Sequence, residues 1–281
     1  MRAASKSGTQ IWREFAGVCG CALLTLASPA PASAELPTVR VSAISAPSGT
    51  KMTDAKWIVI EGESNRKFVT AIFRPEGPGP FSVVVALHGA SGLQDRYLEV
   101  AAELARHGFL VIAGCWQAAK YPIPICAQAT PQDEWVADPA KNSGKEIIAA
   151  ARGLPEARAD RIALYGMSRG GHAALWAAAS GAPVQAVVVD AAAHKPTLYP
   201  APKSTLEVVN KVSVPVLLMH GTNDEVIPVD QSREYEKVAR ALGKPVNAAY
   251  FEGAGHMVSV ESASRPEAIK RAVAFLREHL Q

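Results

Sequence analysis

Short, continuous apolar runs punctuate the chain, with polar loops and longer amphipathic stretches between them. Trp57 to Ile60 and Phe68 to Phe73 are β-branched and aromatic, and the polar segment 61–66 between them predicts a hairpin. Val83 to Leu87 has no polar residue at all, as expected of a strand buried on both faces of a parallel sheet. Tyr97 to Arg106 then reads as a helix stopped by His107-Gly108, with the glycine as its cap. Leu110 to Ala113 is a strand, 116–136 a long irregular segment, and Asp138 to Leu154 contains a helix. The strand Ile162–Tyr165 leads into an alanine-rich helix ending near Ser180, followed by a strand over Val184 to Val189. Residues 191–212 are mostly loop, with a short helix near Leu206. Val214 to Met219 and Asn247 to Phe251 are strands flanking a helix over Gln231 to Leu242. A last helix starts near Pro266 and sets Ile269, Val273, Leu276 and Leu280 on one face. Residues 35–55 show only the Val39-x-Val41 alternation and read as an extended lead-in. Strands alternating with helices over about 200 residues predict one α/β domain, residues 35–281, with a mostly parallel sheet and right-handed crossovers.

The first 34 residues carry a different pattern. Arg2, Lys6 and Arg13 precede a short apolar run, Phe15 to Leu26, and Ala32-Ser33-Ala34 stands before Glu35 as an A-x-A cleavage site. Residues 1–34 are therefore expected to be a signal peptide, its apolar run too short to span a bilayer. A periplasmic or secreted protein follows, with no stable membrane insertion once the signal is removed. Its loss takes three of the 29 basic and one of the 26 acidic residues, leaving a net charge of +1. Neither nucleic acid nor a membrane surface is suggested by that balance. The mature part keeps Cys115 and Cys126, which in an oxidising compartment pair across a loop or else stay as two buried thiols. Both readings are open. The seven histidines show no metal-ligand spacing, and no metal or other cofactor is invoked.

Chemistry concentrates in Gly166-Met-Ser168-Arg-Gly170, set between the strand ending at Tyr165 and the following helix. This is the nucleophile-elbow spacing in its strand–turn–helix context. A serine at the tip of so sharp a turn needs small neighbours two residues to either side, and a helix N-terminus behind it favours an oxyanion in front. A serine hydroxyl needs a base, and the base needs a carboxylate behind it. Asp224 follows the strand ending near Met219, and His256 follows the strand ending at Phe251, in the chain order this elbow predicts. Ser168, Asp224 and His256 are thus the candidate catalytic triad. Asp190, also at a strand end, is the rival acid; Asp224 is favoured by its Gly-x-x-Asp turn before an apolar residue and proline. Glu225 reads as a surface charge, His220 as a structural turn residue, His172 as a packing residue, and His194 has no evident partner. The backbone N–H groups of Arg169 and of Ala90, in the glycine-rich loop His88 to Gly92, are the candidate oxyanion donors.

Together, His88-Gly89, Asp160-Arg161-Ile162, the segment Gly166 to Gly171, the segment His220 to Pro228 and Gly253-Ala-Gly-His256 resemble the α/β-hydrolase superfamily. Within it the likeness is to dienelactone hydrolase-like and prolyl oligopeptidase-like serine esterases, from about Trp57 to the C-terminus. The resemblance implies an α/β-hydrolase fold, an eight-stranded, mostly parallel sheet with helices on both faces, and Ser-Asp-His ester chemistry through an acyl-enzyme. Dienelactone hydrolases proper use a cysteine nucleophile; here the position is Ser168, which points instead to a carboxylesterase acting on a small-molecule ester. The alternatives are a peptidase or amidase of prolyl oligopeptidase type and an inactive binding protein on the same fold. Segment 116–136 is the candidate lid, with Trp116, Tyr121 and Trp135 as the candidate pocket wall and a plain covering loop as the competing reading. The acyl group, the alcohol and the oligomeric state are left open.

Overall fold

In the computed structural model, residues 35–62, 67–116, 144–195 and 203–281 are described. The expected signal peptide 1–34, together with Tyr121, Cys126 and Trp135, lies outside them. Among the described residues nine strands form one sheet: β1 (Arg40–Ile44), β2 (Lys56–Glu61), β3 (Lys67–Phe73), β4 (Phe81–Leu87), β5 (Leu110–Gly114), β6 (Ala157–Met167), β7 (Ala186–Asp190), β8 (Val216–Gly221) and β9 (Val246–Phe251). Their spatial order is β1-β2-β3-β5-β4-β6-β7-β8-β9. The first three strands form an antiparallel meander, β3 joins β5 antiparallel, and every pairing from β5 through β9 is parallel. The α/β fold with a mostly parallel sheet is as the sequence predicts. The ninth strand is β1, which the sequence marks only as a lead-in. All five of its residues are exposed, so no buried face imposes an alternation.

Among the described residues five α-helices cover the sheet: α1 (Asp95–Arg106), α2 (Lys145–Arg152), α3 (Arg169–Ala179), α4 (Asp230–Ala241) and α5 (Arg265–His279), with a 3₁₀ turn at Thr205–Lys211. The two-residue period of β4 divides its side chains between two cores. Val83, Val85 and Leu87 pack with Ile147, Ala174 and Tyr235 of α2, α3 and α4. Val84 and Ala86 pack with Leu98, Leu104, Ile269 and Leu276 of α1 and α5. That is why β4 reads as an unbroken apolar run: both of its faces are covered. On α1, Tyr97, Leu98, Ala101, Leu104 and Ala105 form the buried stripe, and Gly108 ends the helix at φ +97°, its N–H bonded to the Ala105 carbonyl. Among the described residues no helix is long and apolar enough to cross a membrane.

This topology places a switch point at β4. From β4 the chain moves outward to β5 on one side, then returns through α2 to β6 on the other. The loops leaving β4 and β6 at their C-terminal ends therefore part company, and such a switch point is where open α/β sheets bind ligands. The helix after β6 must also pass close to the end of β4. A Cβ on Gly170 would stand 2.0 Å from the Leu87 carbonyl oxygen, and one on Gly166 would stand 2.3 Å from the Gly170 carbonyl oxygen. Because both obstacles are backbone, neither can swing aside. Gly170→Ala is expected to cost about 3 kcal/mol or more, or to prevent folding, as read from the urea midpoint.

Candidate active site

β6 ends at Met167 and α3 begins at Arg169, so Ser168 alone makes the turn. Its backbone lies at φ +53°, ψ −117°, a region costly for any residue with a Cβ. Tertiary bonds hold it there. Its N–H donates to the Asp190 carbonyl at 2.7 Å, and its carbonyl accepts the N–H groups of Gly171 at 2.9 Å and His172 at 3.3 Å. The positive end of α3 thus sits beside the hydroxyl-bearing residue. The loop after β4 comes up against it: a Cβ on Gly89 would lie 3.3 Å from that of Ser168. This loop contains Ala90 and is braced from both flanks. His88 Nδ1 donates to the Gly89 carbonyl at 2.7 Å, and the Trp116 indole N–H donates to the His88 carbonyl at 2.9 Å. On the far side the hydroxyls of Ser91 and Tyr97 pair at 2.9 Å, and Arg96 donates to Ser91. Burial pushes the His88 imidazole down to about 4, the Arg169 charge pushing the same way, so the ring is neutral at pH 7. Trp116 is itself buried, at the foot of this loop.

Asp224 and His256 are brought together by the ends of β8 and β9. Gly221 lies so close to the following loop that a Cβ there would meet the carbonyl oxygens of Ala254 at 2.2 Å and Gly255 at 2.3 Å. Asn223 N–H donates to the Ala254 carbonyl, and Gly253 N–H to the Thr222 hydroxyl, lacing the two loops. In this frame His256 Nδ1–H donates to Asp224 Oδ2 at 2.7 Å. Asp224 Oδ1 accepts the backbone N–H groups of Val226 and Ile227, each at 2.8 Å. Burial alone would raise the Asp224 carboxyl; hydrogen bonds from His220, His256 and Ile227, with the charge on His256, overcome it and hold the group well below the usual carboxylate range. The Asp224 side chain has no exposed surface, whereas His256 keeps 16% of its own. Such a pairing fixes the tautomer that leaves Nε2 of His256 free to accept a proton.

Asp190, the rival acid, has a different place. Its carbonyl takes the Ser168 N–H, while its carboxylate accepts from Val258 N–H at 3.0 Å, Ser259 N–H at 2.9 Å and the Ser259 hydroxyl. One residue therefore ties the serine turn to the loop that carries His256. Burial raises its carboxyl, an effect these three hydrogen bonds and the His256 charge moderate. Two histidines also depart from expectation. His220 is bonded to Asp224 Oδ2 at 2.9 Å, and His194, which the sequence leaves without a partner, meets Thr205 at 2.8 Å and Ser232 at 3.3 Å. Strand parity carried part of that signal: His220 shares a face with Val216 and Leu218, the face that α4 covers. His172 packs, its imidazole pushed down to about 4 by burial, and Glu225 is exposed. Cys115 is disulfide-bonded, which removes the free-thiol reading for that residue. Among the described residues no group of three or more His, Cys, Asp or Glu side chains is arranged to hold a metal ion.

Solved structures share this architecture. A putative dienelactone hydrolase from Klebsiella pneumoniae subsp. pneumoniae superimposes with a TM-score of 0.60 at 18% identity, over 86% of this chain and 99% of that one. An esterase from Pyrococcus furiosus does so at 0.62 and 20% identity, over 81% and 93%. The acylaminoacyl peptidase of Pyrococcus horikoshii gives 0.63 at 17% identity; 88% of this chain corresponds to 42% of that longer one. At such identities the likeness is one of fold. A search among proteins of curated function finds no match. A model of the dienelactone hydrolase family, in contrast, matches residues 68–280, the whole span from β3 to the end of α5, and the chain belongs to that hydrolase family.

Proposed function

We propose that the protein is a serine hydrolase that cleaves small carboxylic esters through an acyl-enzyme, with Ser168 as nucleophile, His256 as base and Asp224 as its orienting acid. The observation that carries this reading is the 2.7 Å bond from His256 Nδ1–H to a fully buried Asp224 carboxylate, at the same sheet edge as a serine held at φ +53°. In the first half-reaction Ser168 Oγ attacks the ester carbonyl carbon while its proton passes to His256 Nε2. The tetrahedral oxyanion is stabilised by the N–H groups of Ala90 and Arg169 and by the positive end of α3. Its collapse expels the alcohol, which leaves with the proton from His256, and Ser168 stays acylated. Water then attacks the acyl carbon with His256 again as base, releasing the carboxylic acid and restoring the hydroxyl.

The test is a panel of ester, thioester, lactone and aminoacyl-naphthylamide substrates, run beside labelling with a fluorophosphonate probe. Labelling at Ser168 with turnover fastest on esters is the expected outcome. Faster turnover of the amides would replace the esterase reading with the peptidase one, to which the acylaminoacyl peptidase likeness lends support. An unlabelled Ser168 would remove both.

A further inference from the structure

Behind Asp224 lies a row of buried polar groups that the triad does not use. His220, His194, Ser232 and Thr205 are all buried, and they come from β8, the loop after β7, α4 and the 3₁₀ turn. His220 Nε2 lies 2.9 Å from Asp224 Oδ2 and 2.9 Å from the Ile227 carbonyl. Its Nδ1 lies 2.7 Å from Ser232 Oγ, which lies 3.3 Å from His194 Nε2; His194 Nδ1 is 2.8 Å from Thr205 Oγ1.

The proton positions follow from the partners. A carboxylate and a carbonyl only accept, so His220 Nε2 carries a proton and shares it between them. An imidazole whose ring proton sits on Nε2 presents its Nδ1 as an acceptor. Ser232 therefore donates to it. With its one proton committed, Ser232 accepts from His194 Nε2–H. The remaining ring nitrogen, His194 Nδ1, accepts from the Thr205 hydroxyl. Every donor points towards Asp224, an order in which each bond polarises the next. The far end is fixed as well: Gln231 Oε1 accepts the N–H groups of His194 and Lys195, and the Ser204 hydroxyl donates to the His194 carbonyl.

We propose that His220 is a positioning residue for the reaction at Ser168, the last link of a one-way hydrogen-bond chain from Thr205 through His194 and Ser232 that locks the Asp224 carboxylate in the plane His256 requires. The proposal rests on the triad reading given above. Oδ1 is pinned by two backbone N–H groups and Oδ2 by two imidazoles, so the carboxylate has no torsion left about its Cβ–Cγ bond. Without His220, Oδ2 keeps only the His256 bond and loses the second donor that fixes its direction.

Two variants separate positioning from packing. His220→Leu fills the space with no donor, whereas His220→Gln keeps an N–H near the place of Nε2. His220→Leu is expected to lower kcat on a p-nitrophenyl ester about tenfold to a hundredfold, the scale of one hydrogen bond to a charged group, with KM within about twofold; His220→Gln regains most of the loss. Nitrogen NMR of the histidine rings, on the wild type and on inactive Ser168→Ala, should place the proton on Nε2 in both His220 and His194. A folded His220→Leu with unchanged kcat overturns the proposal while leaving the triad standing. So does an Nδ1–H tautomer at His220, a result that needs no activity and decides the matter even where His220→Leu fails to fold. Absence of turnover and labelling in the wild type would instead defeat the serine hydrolase reading.

Discussion

Ser168→Ala is expected to lower kcat/KM for p-nitrophenyl esters by a factor on the order of 10⁴ to 10⁶ while the fold survives. The size follows from the proposed chemistry. Without the hydroxyl no acyl-enzyme forms, and the oxyanion donors can assist only direct attack by water, which leaves a residual rate and no burst. Survival of the fold follows from where the strain is held. The turn is kept at φ +53° by the N–H bond to the Asp190 carbonyl and by the two helical bonds onto the Ser168 carbonyl, all of them backbone. An alanine Cβ occupies the place of the serine Cβ, so the strain is unchanged and the urea midpoint should move little. Retention of more than about a tenth of the activity, with an unaltered circular dichroism spectrum, would remove Ser168 from the mechanism.

The local features were legible in the sequence because each carries its cause within a few residues. The run Val83 to Leu87 announces a strand with both faces buried, and the Gly166-x-Ser168-x-Gly170 spacing announces a turn in which Gly166 and Gly170 face backbone at under van der Waals distance. The order Ser168, Asp224, His256 was legible because β6, β8 and β9 each end just before one member. β1 was not, since a fully exposed edge strand needs no apolar alternation. β6 also extends back to Ala157, through residues too polar and half-exposed to register as a strand. The buried polar row escaped for another reason. His194, Thr205, His220 and Ser232 come from four separate elements, and a hydrogen bond between side chains that distant in sequence leaves no periodic trace. Turn chemistry is what favours Asp224 over Asp190 as the candidate acid. It could not reveal that Asp190 joins the serine turn to the His256 loop, because that role exists only after β7 is set beside β6.

Asp224→Asn should lower kcat on the same ester by about 10⁴, and the bonding around the carboxylate says why so small a change is so costly. The N–H groups of Val226 and Ile227 hold Oδ1, and they will hold the amide oxygen in its place. The amide NH₂ must then take the position of Oδ2, facing His256 Nδ1 and His220 Nε2. An NH₂ donates, so His256 Nδ1 becomes the acceptor and its proton moves to Nε2, the atom that should receive the serine proton. Stability changes with a definite pH signature. Because the folded Asp224 carboxyl lies below its unfolded value, its ionisation stabilises the fold fully above about pH 3.9. That contribution drains as pH falls below the unfolded value and is gone only beneath the lowered folded one. Asp190, whose carboxyl is raised, contributes with the opposite sign but equally in both proteins, so it cancels in their difference. Urea unfolding of wild type and variant should therefore show a gap that is constant from pH 7 to about pH 5 and narrows below pH 4. A gap that widens on acidification would mean that Asp224 is protonated in the folded protein, and a neutral acid there could not serve His256 as the counter-charge its imidazolium needs.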